Sequence, residues 1–308
     1  MTNGYLPALL AYAGFSIADA SVKALGEHLS IFEIGFFLNL FAGLILVMIP
    51  HPDERWHDFW RMERPFAVQG RAICGVAASL LGIYAFTSIP LTDAYALIFL
   101  APLFVTILSV LVLKEKVGIW RWSGVVLGFA GVLLVVKPGF RDLQWGHLSA
   151  AGAGLSTGTA VIILRMVGAH AKRSSILGTL FLYLICTNGA ILLYRGMQQP
   201  RALELAVLAF AGLCFGLGQW AFILATRYGT ANQIAPMHYS QLVWAVLFSA
   251  LIFKEYPDPL GVIGLFFVAS AGVIPLIREQ ILKTSGGRIH ESAGRSRSLP
   301  GDCRRGEM

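Results

Sequence analysis

Charge is scarce in this chain. Asp, Glu, Lys and Arg make up 13% of 308 residues, against about 25% in an ordinary soluble domain. A water-soluble core of this size, wrapped in a charged surface, is therefore excluded. Cysteine is scarce too. Cys74, Cys186 and Cys214 lie singly in apolar runs and Cys303 near the C-terminus, so no CxxC pair, metal cluster or disulfide framework is implied. The sequence has no GxxxxGK[ST] loop, no HExxH and no DFG, and its GxSxG match, Gly154-Leu155-Ser156-Thr157-Gly158, lies inside an apolar run and not at a strand-to-helix turn, which leaves no cradle for a nucleotide and no hydrolytic nucleophile motif that survives inspection. No cofactor is expected. His51, Asp53, Glu54, His57 and Asp58 crowd one segment without regular ligand spacing, and a solvated loop accounts for them better than a metal.

What the chain has instead is oil. Hydrophobic residues make up 56% and the mean hydropathy is +0.68. Apolar runs recur at 4–25, 31–49, 67–89, 92–113, 119–136, 146–164, 175–194, 204–226, 231–253 and 258–277, most of them long enough to cross a hydrocarbon layer of roughly 30 Å as helices. The fold class expected is an all-α integral membrane protein of about ten transmembrane helices. The first run holds Asp19 and Lys23 and lacks a basic leader, so it reads as a retained helix rather than a cleaved signal.

The net charge of +7 reports orientation, not nucleic acid. With the N-terminus inside, eleven Lys and Arg fall in the inner connections (Arg55, Arg61, Arg64, Arg71, Lys114, Lys116, Arg121, Arg165, Lys172, Arg173, Arg227) and seven more follow from Arg278 on. Five fall on the other side: Lys137, Arg141, Arg195, Arg201 and Lys254. Positive charge stays cytoplasmic, so an inner (plasma) membrane protein with both termini in the cytoplasm is expected. The stretch 279–308 is rich in Gly, Ser and Arg and is read as a disordered basic tail.

An internal repeat organises the rest. At a constant shift of 140 residues, "SVLVLKEK" from Ser109 lies over "SALIFKEY" from Ser249, aligning Lys114 with Lys254, Glu115 with Glu255 and Gly124 with Gly264. The same shift lays Gly14 and Ser16 over Gly154 and Ser156. Five spans per copy invert the second copy, which is the architecture of transporters that alternate between two mirror-related states around a midplane site. The two copies are expected at 4–138 and 145–278.

These segments, "IPLTDAYALIFLAPLFVTILSVLVLKEKVGIWRWSGVVLGFAGVLLVVKP" and "YGTANQIAPMHYSQLVWAVLFSALIFKEYPD", with "SIADASVKAL" and "IFEIGFFLNL" near the start, resemble the EamA family of the drug/metabolite transporter superfamily. Within that family the likeness is to the S-adenosylmethionine and riboflavin uptake branches. The resemblance implies a secondary transporter of a small organic metabolite, not an enzyme, driven by a proton gradient or by exchange. Many members carry an Arg about five residues after the position of Glu33; here Leu38 and Asn39 stand there. The competing readings are a membrane-embedded enzyme acting on a lipid-linked substrate through the 51–58 segment, and a passive channel.

Candidate site residues follow from polarity inside spans, where an ionisable group is costly unless paired or hydrated. Asp19 and Lys23 stand i,i+4 and are placed to pair, while the repeat puts uncharged Thr159 and Ile163 opposite them. His238, Gln241 and Trp244 fall within two turns on roughly one helical face, with Tyr239 beside them, against Ile98, Ala101 and Phe104 in the first copy. Asn39, Gln219, Trp220 and Phe99 are further candidates for an amphipathic pocket. Tyr84 and Tyr95, near a connection, read as interfacial belt residues. Glu115 and Glu255 read as helix-end residues. Pro102 and Pro236 permit kinks, and Gly75, Gly82, Gly212, Gly216 and Gly218 allow close helix approach. The partners implied are a small-molecule substrate and membrane lipid. A monomer suffices and a dimer is compatible.

Overall fold

The computed structural model describes residues 5–49, 62, 64–115, 118–137, 142–167, 172–228 and 237–271. The 51–58 segment, Pro236 and the 279–308 tail lie outside the described residues. The helices are α1 Tyr5–Leu25, α2 Ile31–Met48, α3 Pro65–Ser88, α4 Leu91–Ile98, α5 Ala101–Leu111, α6 Ile119–Val136, α7 Trp145–Val167, α8 Arg173–Arg195, α9 Ala202–Tyr228, α10 Ser240–Leu251 and α11 Pro259–Ala271. No strand occurs among the described residues. Among the described residues, seven segments are long and apolar enough to cross a membrane, with α4 and α5 forming one of them, and three shorter apolar helices bring the total to ten. The protein is an all-α multi-pass membrane protein. Its outward faces carry side chains such as Phe66, Leu193 and Phe266, all exposed, a surface that only lipid solvates well.

The packing is mirrored. The most extensive helix contacts are α3 with α7 and α1 with α9; each sets the first helix of one half on the third helix of the other. Likewise α2 meets α8, α1 meets α10, α5 meets α7, and α4 meets α10. The last helices of the two halves cross at Gly131 and Gly264. A Cβ on Gly264 would lie 2.6 Å from the Gly131 carbonyl oxygen, and one on Gly131 would lie 2.7 Å from that of Gly264. Only glycine admits that approach, as expected where membrane helices associate through small residues. Gly264→Val should therefore cost about 1–3 kcal/mol, the usual scale of overpacking, read as a lowered melting temperature of the detergent-solubilised protein.

The backbone repeats as well as the contacts do. Lys114 and Lys254 both adopt φ 55°, a left-handed conformation that costs a non-glycine residue about 1–2 kcal/mol. In each copy the next Glu N–H turns back to a serine carbonyl: Glu115 to Ser109 at 3.2 Å and Glu255 to Ser249 at 2.8 Å. The Lys-Glu step is thus a helix terminator used twice. Phe99 and Tyr239, 140 residues apart, are also equivalent. Each interrupts its span, Phe99 at φ −69°, ψ 1° and Tyr239 at φ −68°, ψ −11°, ahead of α5 and α10. In the first copy Pro102 begins the new segment and has no N–H to offer Ile98. The freed Ile98 carbonyl faces Gly154, where a Cβ would stand 3.0 Å away.

The buried core runs along the seam between the halves, through Ile34, Leu38, Leu91, Leu97, Leu208 and Leu242. At one end of the bundle, called the Lys23 end below, α1 finishes and α2 begins. Ser30 and Glu33 form a capping box there, and Glu33 Oε1 also accepts from Gln198 N of the other half at 2.7 Å. Among the five glycines expected to allow close approach, Gly212 fits plainly, since its Cβ would meet Phe41 Cβ at 2.5 Å. Gly82 meets nothing within 4 Å, and it lines the central cavity instead.

Candidate functional site

A cavity of about 310 Å³ lies in the seam, lined by helices of both halves. That is the lower end of the usual size for a small-molecule site. Its polar lining is Asp19, Asn39, Ser79, Tyr95, Thr157, Gln219, His238 and Gln241. No Lys or Arg lines it among the described residues.

Helix α1 contributes Asp19 and Val22 to one wall, and Asp19 stands on the helix face that also carries Tyr12, Ser16 and Lys23. The Asp19 carboxylate accepts a 2.5 Å hydrogen bond from the Tyr95 hydroxyl, which joins α1 to α4. Gln241 stands at the break before α10, where its amide interacts with both Tyr95 and His238. The His238 ring is held between aromatic faces, stacked on Tyr12 at 4.9 Å and tilted against Phe99 at 4.6 Å. Tyr239 also packs on Phe99, at 5.3 Å between ring centroids. Asn39 Nδ2 donates to the Gly35 carbonyl at 2.7 Å, leaving its amide oxygen as the end that can serve the cavity. The assembly is one carboxylate, three amides and a bank of rings, an arrangement that can bind a polar, partly aromatic solute by charge, hydrogen bonding and ring contact.

Five expected site residues converge on this cavity: Asp19, Asn39, Gln219, His238 and Gln241. Four do not line it, namely Lys23, Trp220, Tyr239 and Trp244. Lys23 does not take up the pairing with Asp19. Its ammonium lies 3.0 Å from Glu255 Oε1 and donates to the Ile89 carbonyl at 2.9 Å, at the end of the bundle. Glu255 therefore has a side-chain role besides terminating its helix. Trp220 is 39% exposed on the outer surface. Trp244 stacks on Phe248 at 5.8 Å, along its own helix and away from the cavity. Trp244→Ala should accordingly leave transport within about twofold of wild type, since a half-buried ring contact away from the cavity is worth about 1 kcal/mol of packing, measured as initial uptake.

Tyr95 reverses its expected place. It is 3% exposed and bonded to Asp19, not at an interface, because α4 turns it inward beside the connection. Tyr84 does face outward, at 37% exposure. Ser79 and Thr157 line the cavity without having been singled out in the sequence; isolated hydroxyls are common in membrane helices and carry no distinguishing signal. Tyr12 carries one, since it stands one helical turn before Ser16 on the Asp19 face.

The EamA-like transporter family matches this chain twice, over residues 2–137 and 144–275. The S-adenosylmethionine uptake transporter of Rickettsia prowazekii is 30% identical over 94% of this chain and 97% of its own length. The riboflavin transporter of Vibrio cholerae is 26% identical over 83% of this chain and 86% of its own. A solved crystal structure superimposes with a TM-score of 0.65 at 14% identity, over 91% of this chain and 99% of that one, a likeness of fold. Matched over both halves by the family and along nearly its whole length by these relatives, the chain belongs to the EamA-like transporter family.

Proposed function

We propose that the chain takes up a small organic solute bearing a cationic group and a flat ring, of the S-adenosylmethionine kind, across the inner membrane by alternating access. The observation that carries the reading is the Asp19 carboxylate in a cavity with no lining Lys or Arg among the described residues. A cation offsets the cost of that carboxylate inside the membrane, whereas an anion adds to it. Tyr95 and Phe99 put aromatic side chains on the cavity wall that a flat ring or a cation can meet. The halves 4–138 and 145–278 are the units that rock, the distribution of Lys and Arg sets both termini in the cytoplasm, and one chain is sufficient because it contains both halves. The relatives named for S-adenosylmethionine and riboflavin uptake support a solute of this size with a ring.

The reading is tested by binding in detergent against a panel of S-adenosylmethionine, S-adenosylhomocysteine, riboflavin, flavin mononucleotide and neutral amino acids. S-adenosylmethionine should bind at least tenfold tighter than the thioether that lacks its sulfonium charge, a gap of about 1.4 kcal/mol. Equal binding of the two, or preference for the phosphorylated flavin, would overturn it. A pH gradient and a trans-side solute, applied separately in liposomes, distinguish proton coupling from exchange.

A further inference from the structure

A further charge stands inside a span next to the cavity. Arg71 lies on α3, nearly two helical turns in from Pro65. It is half-buried, and its Nε is buried without a hydrogen-bond partner. No carboxylate pairs with it among the described residues. An unpaired cation within a span is costly, and a buried donor that bonds nothing adds to the cost. Anchoring the start of α3 does not require it. Arg64, exposed at the helix cap, already donates to the Met166 carbonyl of α7.

The position of Arg71 relates it to the solute path. Gly75, Ala78, Ser79 and Gly82 line the cavity, and Arg71 stands on the same face of α3, one turn before Gly75. A Cβ on Gly75 would lie 2.4 Å from Leu180 Cδ1 of α8, and Leu180 also lines the cavity. Leu180 seated on Gly75 is thus the cavity floor on the side away from the Lys23 end, and Arg71 is one turn beyond it. Asp19 lies on the other side of that floor. Gly26, just after α1, abuts Thr87 of α3, and the two helices run in the same direction, so Asp19 stands at about the height of Leu80. Arg71 is nine residues lower, roughly 13 Å along the axis.

Two opposite charges therefore flank this stretch of the seam, too far apart to pair with each other. The repeat makes both one-sided. A shift of 140 puts Thr159 over Asp19 and the fully buried Ala211 over Arg71. Charges needed only to hold mirrored helices together would be expected in both copies; a site for one asymmetric solute needs each charge once.

We propose that Arg71 receives the carboxylate of an amino-acid solute, so that Asp19 and Arg71 read the cation and the anion of one zwitterion. The inference rests on the uptake reading above and narrows it: the solute bears a carboxylate as well as its cationic group. A carboxylate brought into the seam beside Asp19 alone is repelled and poorly solvated. A guanidinium offers it two parallel N–H donors, a match in shape as well as charge.

The test compares S-adenosylmethionine with its decarboxylated form, which keeps the sulfonium, the amine and the adenine ring and lacks the carboxylate. Binding of each to the full chain in detergent is measured for wild type, Arg71→Gln and Arg71→Lys. Wild type, in a comparison that needs no variant, should hold the carboxylate-bearing solute at least about tenfold tighter. Arg71→Gln should erase that preference by weakening S-adenosylmethionine, while the decarboxylated form stays within about twofold of its wild-type affinity. Arg71→Lys, which keeps the charge and loses the fork, should retain part of the preference. No preference in wild type, a full preference persisting in Arg71→Gln, or equal weakening of both solutes in that variant would overturn the proposal, the last by showing that Arg71 serves the scaffold. The uptake reading fails differently: S-adenosylmethionine and S-adenosylhomocysteine, which share the carboxylate, would bind alike while the dependence on Arg71 held.

Discussion

Replacing Asp19 by asparagine should lower the initial rate of solute uptake at least about 100-fold, equivalent to about 2.7 kcal/mol, with the protein still reaching the membrane in normal amount. The substitution keeps the shape of the side chain and its ability to accept from the Tyr95 hydroxyl, now 2.5 Å away, so the α1–α4 junction survives. What it removes is the negative charge. A buried charge pair that loses one partner forfeits 2–5 kcal/mol or more, and here the stranded partner would be the solute's own cation. Tyr95→Phe is the graded companion. It leaves Asp19 ionisable but one hydrogen bond short, a loss of about 1.5–3 kcal/mol for a bond to a charged group. Uptake kinetics of both, normalised to the amount in the membrane, check the pair. Equal, wild-type rates would remove Asp19 from the site.

Gln241→Ala should reduce uptake about 10- to 30-fold, mostly in the apparent affinity. The amide is 7% exposed at the rim of the cavity and engages Tyr95 and His238 together. Its removal costs each of them about 1 kcal/mol and frees the ring held between Tyr12 and Phe99. Gln241→Asn, one methylene shorter, should recover little, because the amide must span two partners. The control is Trp244, three residues on and bulkier, whose truncation should be nearly silent. If Trp244→Ala and Gln241→Ala lowered uptake alike, the side chains of α10 would be acting by packing rather than by contact with the solute.

Much of this was legible before any coordinates. The lack of charge and the recurring apolar runs dictate a multi-pass bundle, and a constant shift of 140 residues dictates its mirrored construction. The paired left-handed lysines at 114 and 254 are the same repeat expressed in backbone geometry. Asp19, Asn39, Gln219, His238 and Gln241 stand out because polarity inside a span is expensive, and that cost is local to each residue. The misplacements share one cause: they depend on direction, which composition does not encode. Trp244 lies three residues past Gln241 in the same helix, yet its ring packs on Phe248 and not on the cavity. Tyr95 is chemically an interface residue, and only the tight turn from α3 into α4 points it inward. Lys23 has an acid one turn away on its own helix, yet the acid it meets is 232 positions on. Proximity along the chain is a weak guide where two halves fold over each other.

The central claim is a single cavity, shared by inverted halves and reached from one side at a time. Counterflow in proteoliposomes tests it most directly. With unlabelled S-adenosylmethionine trapped inside, radiolabelled S-adenosylmethionine outside should enter with saturation, overshoot its equilibrium level and then decline, and the Asp19→Asn variant should show no overshoot. Entry that rises linearly with concentration, ignores the trapped solute and is indifferent to Asp19 would contradict the account.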